Sequence, residues 1–274
     1  MRALAEVNHL MLGHLIHVYG VSITLRLKQY AQYRVDAWLQ LTMRLLRFGL
    51  QLAFLGIAFS FVDRLGDWSP WEVVLMWCTG VIGFYIQDAF FCFATQSKIH
   101  FYNGRLDYAL VRPLPVFTQE SAREMPLESL LNMVFFGVAF AIAVVRLELY
   151  VQPVTMLLLV VALAASALVW LGIATLISCI TVWVGRTFSL WQSFSALNDY
   201  VKYPLDIFPV PLKTLLTVIP FGFTTFYPVA FALRGGEYAW PGAFSLGVGL
   251  LVFGLAYVTY VLALRHYSSV GSGI

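Results

Sequence analysis

The chain has 274 residues, of which 60% are hydrophobic and only 11% are charged, and its mean hydropathy is +0.80. A water-soluble protein of this length cannot bury so large an apolar fraction in one core, so an ordinary soluble domain is excluded. A membrane-spanning helix needs roughly 20 apolar residues, and the length therefore allows about six spans and no large soluble domain. The formal net charge of +3 says little about partners, and we expect no nucleic-acid ligand.

The amino-terminal segment, residues 1–37, is predicted to be an interfacial helix. Between residues 23 and 34, leucines and tyrosines mix with basic residues, which is typical of a helix lying at a membrane surface. The segment lacks the cleavage site of a secretory signal, so we expect it to be retained. His14 and His17 are three residues apart, but no cysteine or carboxylate joins them, and no metal site is predicted.

The rest of the chain, residues 38–274, is predicted to be one transmembrane domain of an all-α integral membrane protein. Six apolar runs are long enough to span as helices. They cover about residues 38–62, 70–93, 127–145, 155–184, 189–208 and 243–264. The three cysteines lie within apolar runs at spacings typical of neither a metal site nor a disulfide framework.

A seventh apolar run, residues 212–233, is interrupted by Pro220 and Pro228. Because proline removes a helix hydrogen bond, this run is predicted to form a re-entrant hairpin of two short helices instead of a span.

Basic residues are distributed unevenly between the two sides of the predicted bundle. If the amino terminus is cytoplasmic, most of the 17 Lys and Arg residues also face the cytoplasm, and only Arg64, Arg146 and Arg234 fall clearly outside. Cytoplasmic segments are enriched in Lys and Arg, so both termini are predicted to be cytoplasmic.

The loop of residues 95–124 is the longest polar segment between predicted spans. Its centre is predicted to be a short amphipathic helix, ended abruptly by prolines, which forms a compact knob with apolar anchors and a charged rim. Such a knob suits a groove on a partner protein, and the alternative is an ordinary hairpin lying on lipid headgroups. The residues concerned are Gly104, Leu106, Asp107, Leu110, Arg112, Pro113 and Pro115.

Polar residues inside the apolar runs are candidates for a translocation pathway. Asn198, Asp199 and Lys202 fall within one helical turn and are followed by Tyr203. Ionisable groups are costly at membrane depth, so this face is predicted to line a pathway. The alternative is an ion pair between Asp199 and Lys202 that only fixes helix packing. Asp88 poses the same question, with a hydrogen bond to a neighbouring helix as its alternative role.

Catalytic motifs are missing from the sequence. There is no GxSxG or HExxH motif and no pair of catalytic carboxylates, and the P-loop pattern GxxxxGK[ST] is missing too. The chain is therefore predicted not to be an enzyme. If ATP drives it, another polypeptide hydrolyses the ATP.

The sequence Gly-x-Leu-Asp-x-x-Leu-x-Arg-Pro-Leu-Pro at residues 104–115 resembles a loop of the membrane-spanning permease subunits of bacterial type-2 ATP-binding cassette (ABC) exporters. Further similar segments occur in the expected order along nearly the whole chain. They are Tyr-Arg-Val-Asp at 33–36, Tyr-Pro-Leu-Asp-Ile-Phe-Pro at 203–209, Ile-Pro-Phe at 219–221 and Tyr-Pro at 227–228.

This resemblance implies a six-span bundle in the bacterial inner membrane, with an extracellular re-entrant element before the last span. It implies a dimer with a second permease, identical or paralogous, surrounded by membrane lipid. Each permease would bind an ATPase subunit that holds ATP and Mg²⁺, while this chain holds no cofactor. The knob at residues 104–115 would then be the coupling helix. The transported substrate does not follow from the resemblance.

Two other functions are left open by the sequence. One is an ion-coupled secondary transporter that uses Asp88, Asp199 and Lys202 as a proton relay. The other is a membrane scaffold without transport activity, in which the polar residues only hold helices together.

Overall fold

The computed structural model describes residues 2–102, 106–111, 116–185, 187–197 and 200–267. Within these ranges the chain is helical and contains no β-strand. The α-helices are α1 (Arg2–Gln32), α2 (Arg34–Phe61), α3 (Pro70–Phe90), α4 (Phe93–Tyr102), α5 (Leu106–Leu110), α6 (Val116–Glu124), α7 (Leu127–Arg146), α8 (Pro153–Val184), α9 (Phe188–Leu197), α10 (Val210–Val218), α11 (Phe226–Arg234), α12 (Ala239–Ala243) and α13 (Ser245–His266).

Five helical segments in the described ranges are long and apolar enough to cross a membrane, which confirms an all-α membrane protein. They are α2, α3, α7, α8 and the segment Gly236–His266, which ends with α13. Their positions agree closely with five of the predicted spans. The first, α2, begins at Arg34, a few residues before the predicted start at residue 38, because α1 ends at Gln32.

The predicted span at residues 189–208 is not one continuous helix. The α-helix α9 ends at Leu197, and two 3-10 turns follow at Tyr200–Lys202 and Leu205–Ile207. Pro204 and Pro209 stand on either side of the second turn, and neither can donate a backbone hydrogen bond. The run is therefore too interrupted to be counted as a sixth span.

The predicted re-entrant segment, residues 212–233, contains two short helices with a break between them. Pro220 begins a 3-10 turn that separates α10 from α11. Pro228 lies in the first turn of α11, where a missing amide hydrogen costs nothing. Each helix has 9 residues and is about 14 Å long, too short to cross a bilayer. Entry of this pair into the membrane stays a prediction.

The core of the bundle is formed by α3 and α8. α3 packs against α7 and α8, and α8 packs most extensively against α13. Two glycines permit close contact, because a Cβ on Gly83 would lie 2.1 Å from Ser166 Oγ, and one on Gly172 would lie 2.9 Å from the backbone of Val252. Small residues let helix backbones approach in this way in membrane proteins.

The helix α2 differs from the other spans because none of its most apolar 18-residue window is buried within the chain. It is attached to the bundle by apolar contacts of Phe48, Leu52, Leu55 and Phe59 and by polar contacts near its start. Tyr30 of α1 donates a hydrogen bond to Glu128 of α7 at 2.7 Å, and Arg44 of α2 lies 3.5 Å from the same carboxylate. Most of the remaining length of α2 is exposed.

Candidate functional site

The predicted coupling knob is a five-residue helix, α5, with one buried and one exposed side. Leu106 is fully buried in a cluster with Phe93 of α4 and with Cys179 and Tyr260 of α8 and α13. This corrects the prediction that Leu106 is available for contact with a partner. Gly104, Arg112, Pro113 and Pro115 lie outside the described residues.

The exposed side of α5 carries apolar residues. Tyr108, Leu110 and Val111 are 69%, 46% and 83% exposed. Asp107, at the start of the helix, interacts with Tyr267 beyond the end of α13, and burial together with this carboxylate raises the pKa of Tyr267 to about 12. The knob is therefore anchored in the bundle at one end and presents an apolar tip at the other.

A cluster of polar side chains joins α4 to α6. His100 Nε2 of α4 lies 2.9 Å from Glu124 Oε1 of α6, and within α6 the buried Glu120 lies 3.5 Å from the exposed Arg123. Ligand atoms of His100, Glu120 and Glu124 all lie within 4.8 Å of one another. His100 is 20 residues from Glu120 in the sequence, and only the packing of α4 on α6 brings it to the two glutamates.

Lys98 is a second buried charge in this region. Its side chain is only 8% exposed, and its Nζ lies 4.5 Å from the ring centre of Trp191 in α9. Burial lowers the pKa of Lys98 to about 8, although Asp88 opposes the shift. Contact with an aromatic face compensates part of the cost of burying this cation.

The predicted pathway residues are only partly brought together. Asn198 and Asp199 lie outside the described residues. Lys202 and Tyr203 line a cavity beside α2. Asp88 lines neither of the cavities described below, and it accepts a hydrogen bond from Ser129 of α7 at 2.5 Å. This is the helix-to-helix contact that was the alternative role for Asp88.

Two adjoining cavities lie between α2 and the bundle. The first, of about 450 Å³, is termed the apolar cavity, because most of its wall consists of apolar residues of α2. The second, of about 350 Å³, is termed the polar cavity. The two share four lining residues, namely Arg47, Gln51, Trp77 and Lys202.

The polar cavity is lined by α2, α3, α7, α8 and α9 together with the segment around Lys202. Its polar lining includes Arg44 and Arg47 of α2 and the tryptophans Trp77 and Trp170 of α3 and α8. Both tryptophans are buried, at 4% and 1% exposure. Arg47 lies nine residues into the predicted span 38–62, about 14 Å along the helix axis.

In the sequence, Arg44 and Arg47 served only as evidence for orientation. The overlooked signal is that two arginines three residues apart occur inside an otherwise apolar helix, where charge is costly. Trp77 and Trp170 lie deep within apolar runs, which predicts that they have protein neighbours, but only the packing of α3, α7 and α8 brings their ring nitrogens to one cavity.

At the end of the bundle opposite α5, charged residues form paired contacts. Arg234 Nη2 lies 3.1 Å from Glu72 Oε2, and the guanidinium lies 3.6 Å from the ring centre of Trp68. Asp206 accepts hydrogen bonds from Lys213 at 2.5 Å and from Tyr238 at 2.6 Å. We term these residues the distal cluster: Trp68, Glu72, Asp206, Lys213, Arg234 and Tyr238.

The distal cluster joins α11 and the segment around Asp206 to the start of α3. Trp68 connects its two halves, because its ring contacts both Arg234 and the ring of Tyr238. Asp206 therefore has a structural role at this end of the bundle, away from the polar cavity.

Comparison with known proteins gives one family match. The model of a family described as "ABC-2 family transporter protein" matches residues 45–271. No curated protein and no solved structure matches significantly.

Proposed function

The chain belongs to the ABC-2 family of transporter proteins and is a multi-pass membrane permease that works with an ABC ATPase, and from this membership we propose a specific role for it. It is the permease subunit of an ABC exporter in the bacterial inner membrane, it acts as a dimer with a second permease, and both of its termini are cytoplasmic. Family membership assigns it membrane transport and no catalytic activity. ATP and Mg²⁺ would bind to the partner ATPase, as phosphoryl transfer requires.

This proposal rests on the position of α5, which is exposed on one side and buried in the bundle on the other. Its exposed tip, Leu110 and Val111, offers apolar side chains to a groove on the ATPase, while its buried end inserts Leu106 between α4, α8 and α13. A force applied to the tip would reach two spanning helices directly. The ordinary alternative, a hairpin lying on headgroups, does not require the inner end to be so deeply anchored.

In the proposed cycle, ATP binding closes the two ATPase subunits and shifts α5. The shift favours a second arrangement of the bundle to the extent that the ATPase contacts α5 differently in its two nucleotide states. Because none of the most apolar window of α2 is buried within the chain, we place the opening of the pathway beside α2, where Lys202 and Tyr203 line the apolar cavity.

A matched pair of valine substitutions tests the coupling role. Val111→Glu places a charge on the exposed tip of α5, and Val151→Glu makes the same change on a similarly exposed residue at the opposite end of the bundle. We expect Val111→Glu to lower co-purification with the ATPase, and the rate of ATP hydrolysis by the complex, by about tenfold or more, since interface anchors often contribute this much. Val151→Glu should change neither.

Two results would contradict the proposal. Equal effects of the two valine substitutions would show that the tip of α5 is not the contact. Transport by the purified chain alone, driven by a proton gradient and insensitive to ATP, would favour the secondary transporter instead.

A further inference from the structure

The polar cavity contains hydrogen-bond donors that have no acceptor. Arg44 Nη1, Trp77 Nε1 and Trp170 Nε1 are buried and make no hydrogen bond within the described part of the chain. Guanidinium and indole nitrogens can only donate, so no rotation of these side chains lets them satisfy one another. A buried donor without an acceptor is unfavourable. A ligand rich in acceptor oxygens would satisfy all three groups.

The charged side chains at the cavity are positive, so they would attract the same acceptor-rich ligand that the three donors need. Arg47 lines both cavities and forms no ion pair or hydrogen bond with any described residue. Arg44 shares Glu128, its carboxylate partner among the described residues, with Tyr30. No carboxylate occurs among the described residues that line either cavity. Because a cation at membrane depth is costly without a counter-charge, and the described part of the chain supplies none to Arg47, we take the site to suit a negatively charged ligand.

The apolar cavity continues from Arg47 along the same face of α2. Met43, Leu46, Leu50 and Phe54 follow helical spacing on this face, and they line the cavity together with Arg47. Its volume of about 450 Å³ falls within the range of small-molecule sites. One helix therefore offers a cation and an adjacent hydrocarbon surface to the same ligand.

We infer that the substrate of this permease is an anionic amphiphile. Its phosphate, carboxylate or sulfonate group contacts Arg47, Arg44 and the two indole nitrogens, and its hydrocarbon part lies along the apolar cavity. That this amphiphile is transported rests on the proposed function, whereas its binding to the chain alone does not.

A quenching experiment on the purified full chain tests the binding. The probe is phosphatidylglycerol with brominated acyl chains, which quenches every tryptophan that it contacts. The exposed tryptophans Trp38, Trp71, Trp183 and Trp240 are therefore first replaced by phenylalanine, so that the quenching reports contact with the buried tryptophans, Trp77 among them. Brominated phosphatidylcholine supplies the same tail without net charge, and glycerol 3-phosphate, tested as a competitor, supplies the anion without the tail. We expect phosphatidylglycerol to bind about tenfold more tightly than phosphatidylcholine, the factor given by one charge-assisted hydrogen bond. Glycerol 3-phosphate should not displace it at equal concentration.

Substitutions at Arg47 locate the binding. Arg47→Gln should lower the affinity for phosphatidylglycerol about tenfold and leave that for phosphatidylcholine unchanged, and Arg47→Lys should retain most of the preference. Arg265→Gln, in the last turn of α13, is the matched control and should have no effect. Since Arg47 is exposed, and forms no hydrogen bond or ion pair with a described residue, Arg47→Gln removes none of those bonds from the described part of the chain.

The results separate this inference from the proposed function. Three results would contradict the binding of an anionic amphiphile. They are equal affinity for the two lipids, an unaltered preference for phosphatidylglycerol in Arg47→Gln, and displacement of the lipid by glycerol 3-phosphate alone. If phosphatidylglycerol binds through Arg47 but does not stimulate ATP hydrolysis by the permease–ATPase complex, it is a structural lipid and the substrate assignment falls. Failure of the ATPase to co-purify would overturn the proposed function and leave the binding result standing.

Discussion

The distal cluster and the polar cavity place arginines in opposite situations. In the distal cluster, Arg234 has a carboxylate, a backbone carbonyl and an aromatic face around it. At the polar cavity, Arg47 has no hydrogen bond or ion pair with a described residue, and its neighbours Trp77 and Trp170 have unmet donors. The difference indicates that charged residues hold the fold together at one end, whereas at the cavity the charge is left for the anionic ligand that we propose.

The largest effect on stability is expected from a substitution in the distal cluster. Arg234→Gln removes the ion pair with Glu72 and leaves a mostly buried carboxylate without its partner. We expect the free energy of unfolding to fall by about 2 kcal/mol, less than for a fully buried pair because Arg234 is partly exposed. Unfolding in mixed micelles by a denaturing detergent measures this.

The control for this substitution is Arg146→Gln at the same end of the bundle. Arg146 lies 5.6 Å from the ring centre of Trp71 and has no carboxylate partner among the described residues, so its replacement should change stability by less than about 0.5 kcal/mol. Equal losses in the two variants would remove the structural role assigned to the distal cluster.

An intermediate effect on stability is expected from substitution of Lys98, which is buried but contacts an aromatic ring. The pKa of about 8 lies below the ordinary value of 10.5, so the folded state loses this proton before the unfolded state does. The cost of burying the charge is fully present below pH 8, and stability should rise with pH between about 8 and 10.5.

Lys98→Met removes this titration. Below pH 8 we expect the variant to be more stable than the original chain by about 1–2 kcal/mol, after allowance for the lost contact with Trp191. Melting temperatures at pH 7, 8.5 and 10 check this, because the difference should shrink as the pH rises. A difference that does not depend on pH would show that Lys98 stays charged throughout.

The smallest effect on stability is expected at Arg47. Arg47→Gln should change the free energy of unfolding by no more than about 0.5 kcal/mol, because Arg47 is exposed and no hydrogen bond or ion pair with a described residue is lost. The same micelle unfolding assay applies, alongside Arg234→Gln. If Arg47→Gln were as destabilising as Arg234→Gln, the contrast between the two regions would fail, and Arg47 would belong to the fold.

Hydropathy was sufficient to predict most of the spans, because a bilayer imposes both length and composition on each helix. It failed at residues 189–208, where the composition is apolar but the prolines interrupt the backbone hydrogen bonding. The pair of short helices around Pro220 was predictable for the same reason, since proline acts locally and needs no knowledge of tertiary contacts.

The candidate site was less predictable. In a helix as short as α5, composition cannot show which apolar residue faces inward, and only packing against Cys179 and Tyr260 separates Leu106 from Val111. The polar cavity was not foreseen because its residues come from five helices and the segment around Lys202. Arg47 was visible in the sequence, but only the folded chain shows that no described residue forms a hydrogen bond or ion pair with it.

The length of α8 has a mechanical consequence. With 32 residues it is about 48 Å long, which exceeds a hydrocarbon layer of about 30 Å even when the helix is tilted. Trp170, at its middle, borders the polar cavity, and Cys179, about one and a half turns from its end, lies in one cluster with Leu106. One uninterrupted helix thus runs from the proposed coupling helix to the polar cavity, and in the proposed cycle we expect a displacement of Leu106 to move Trp170 with it.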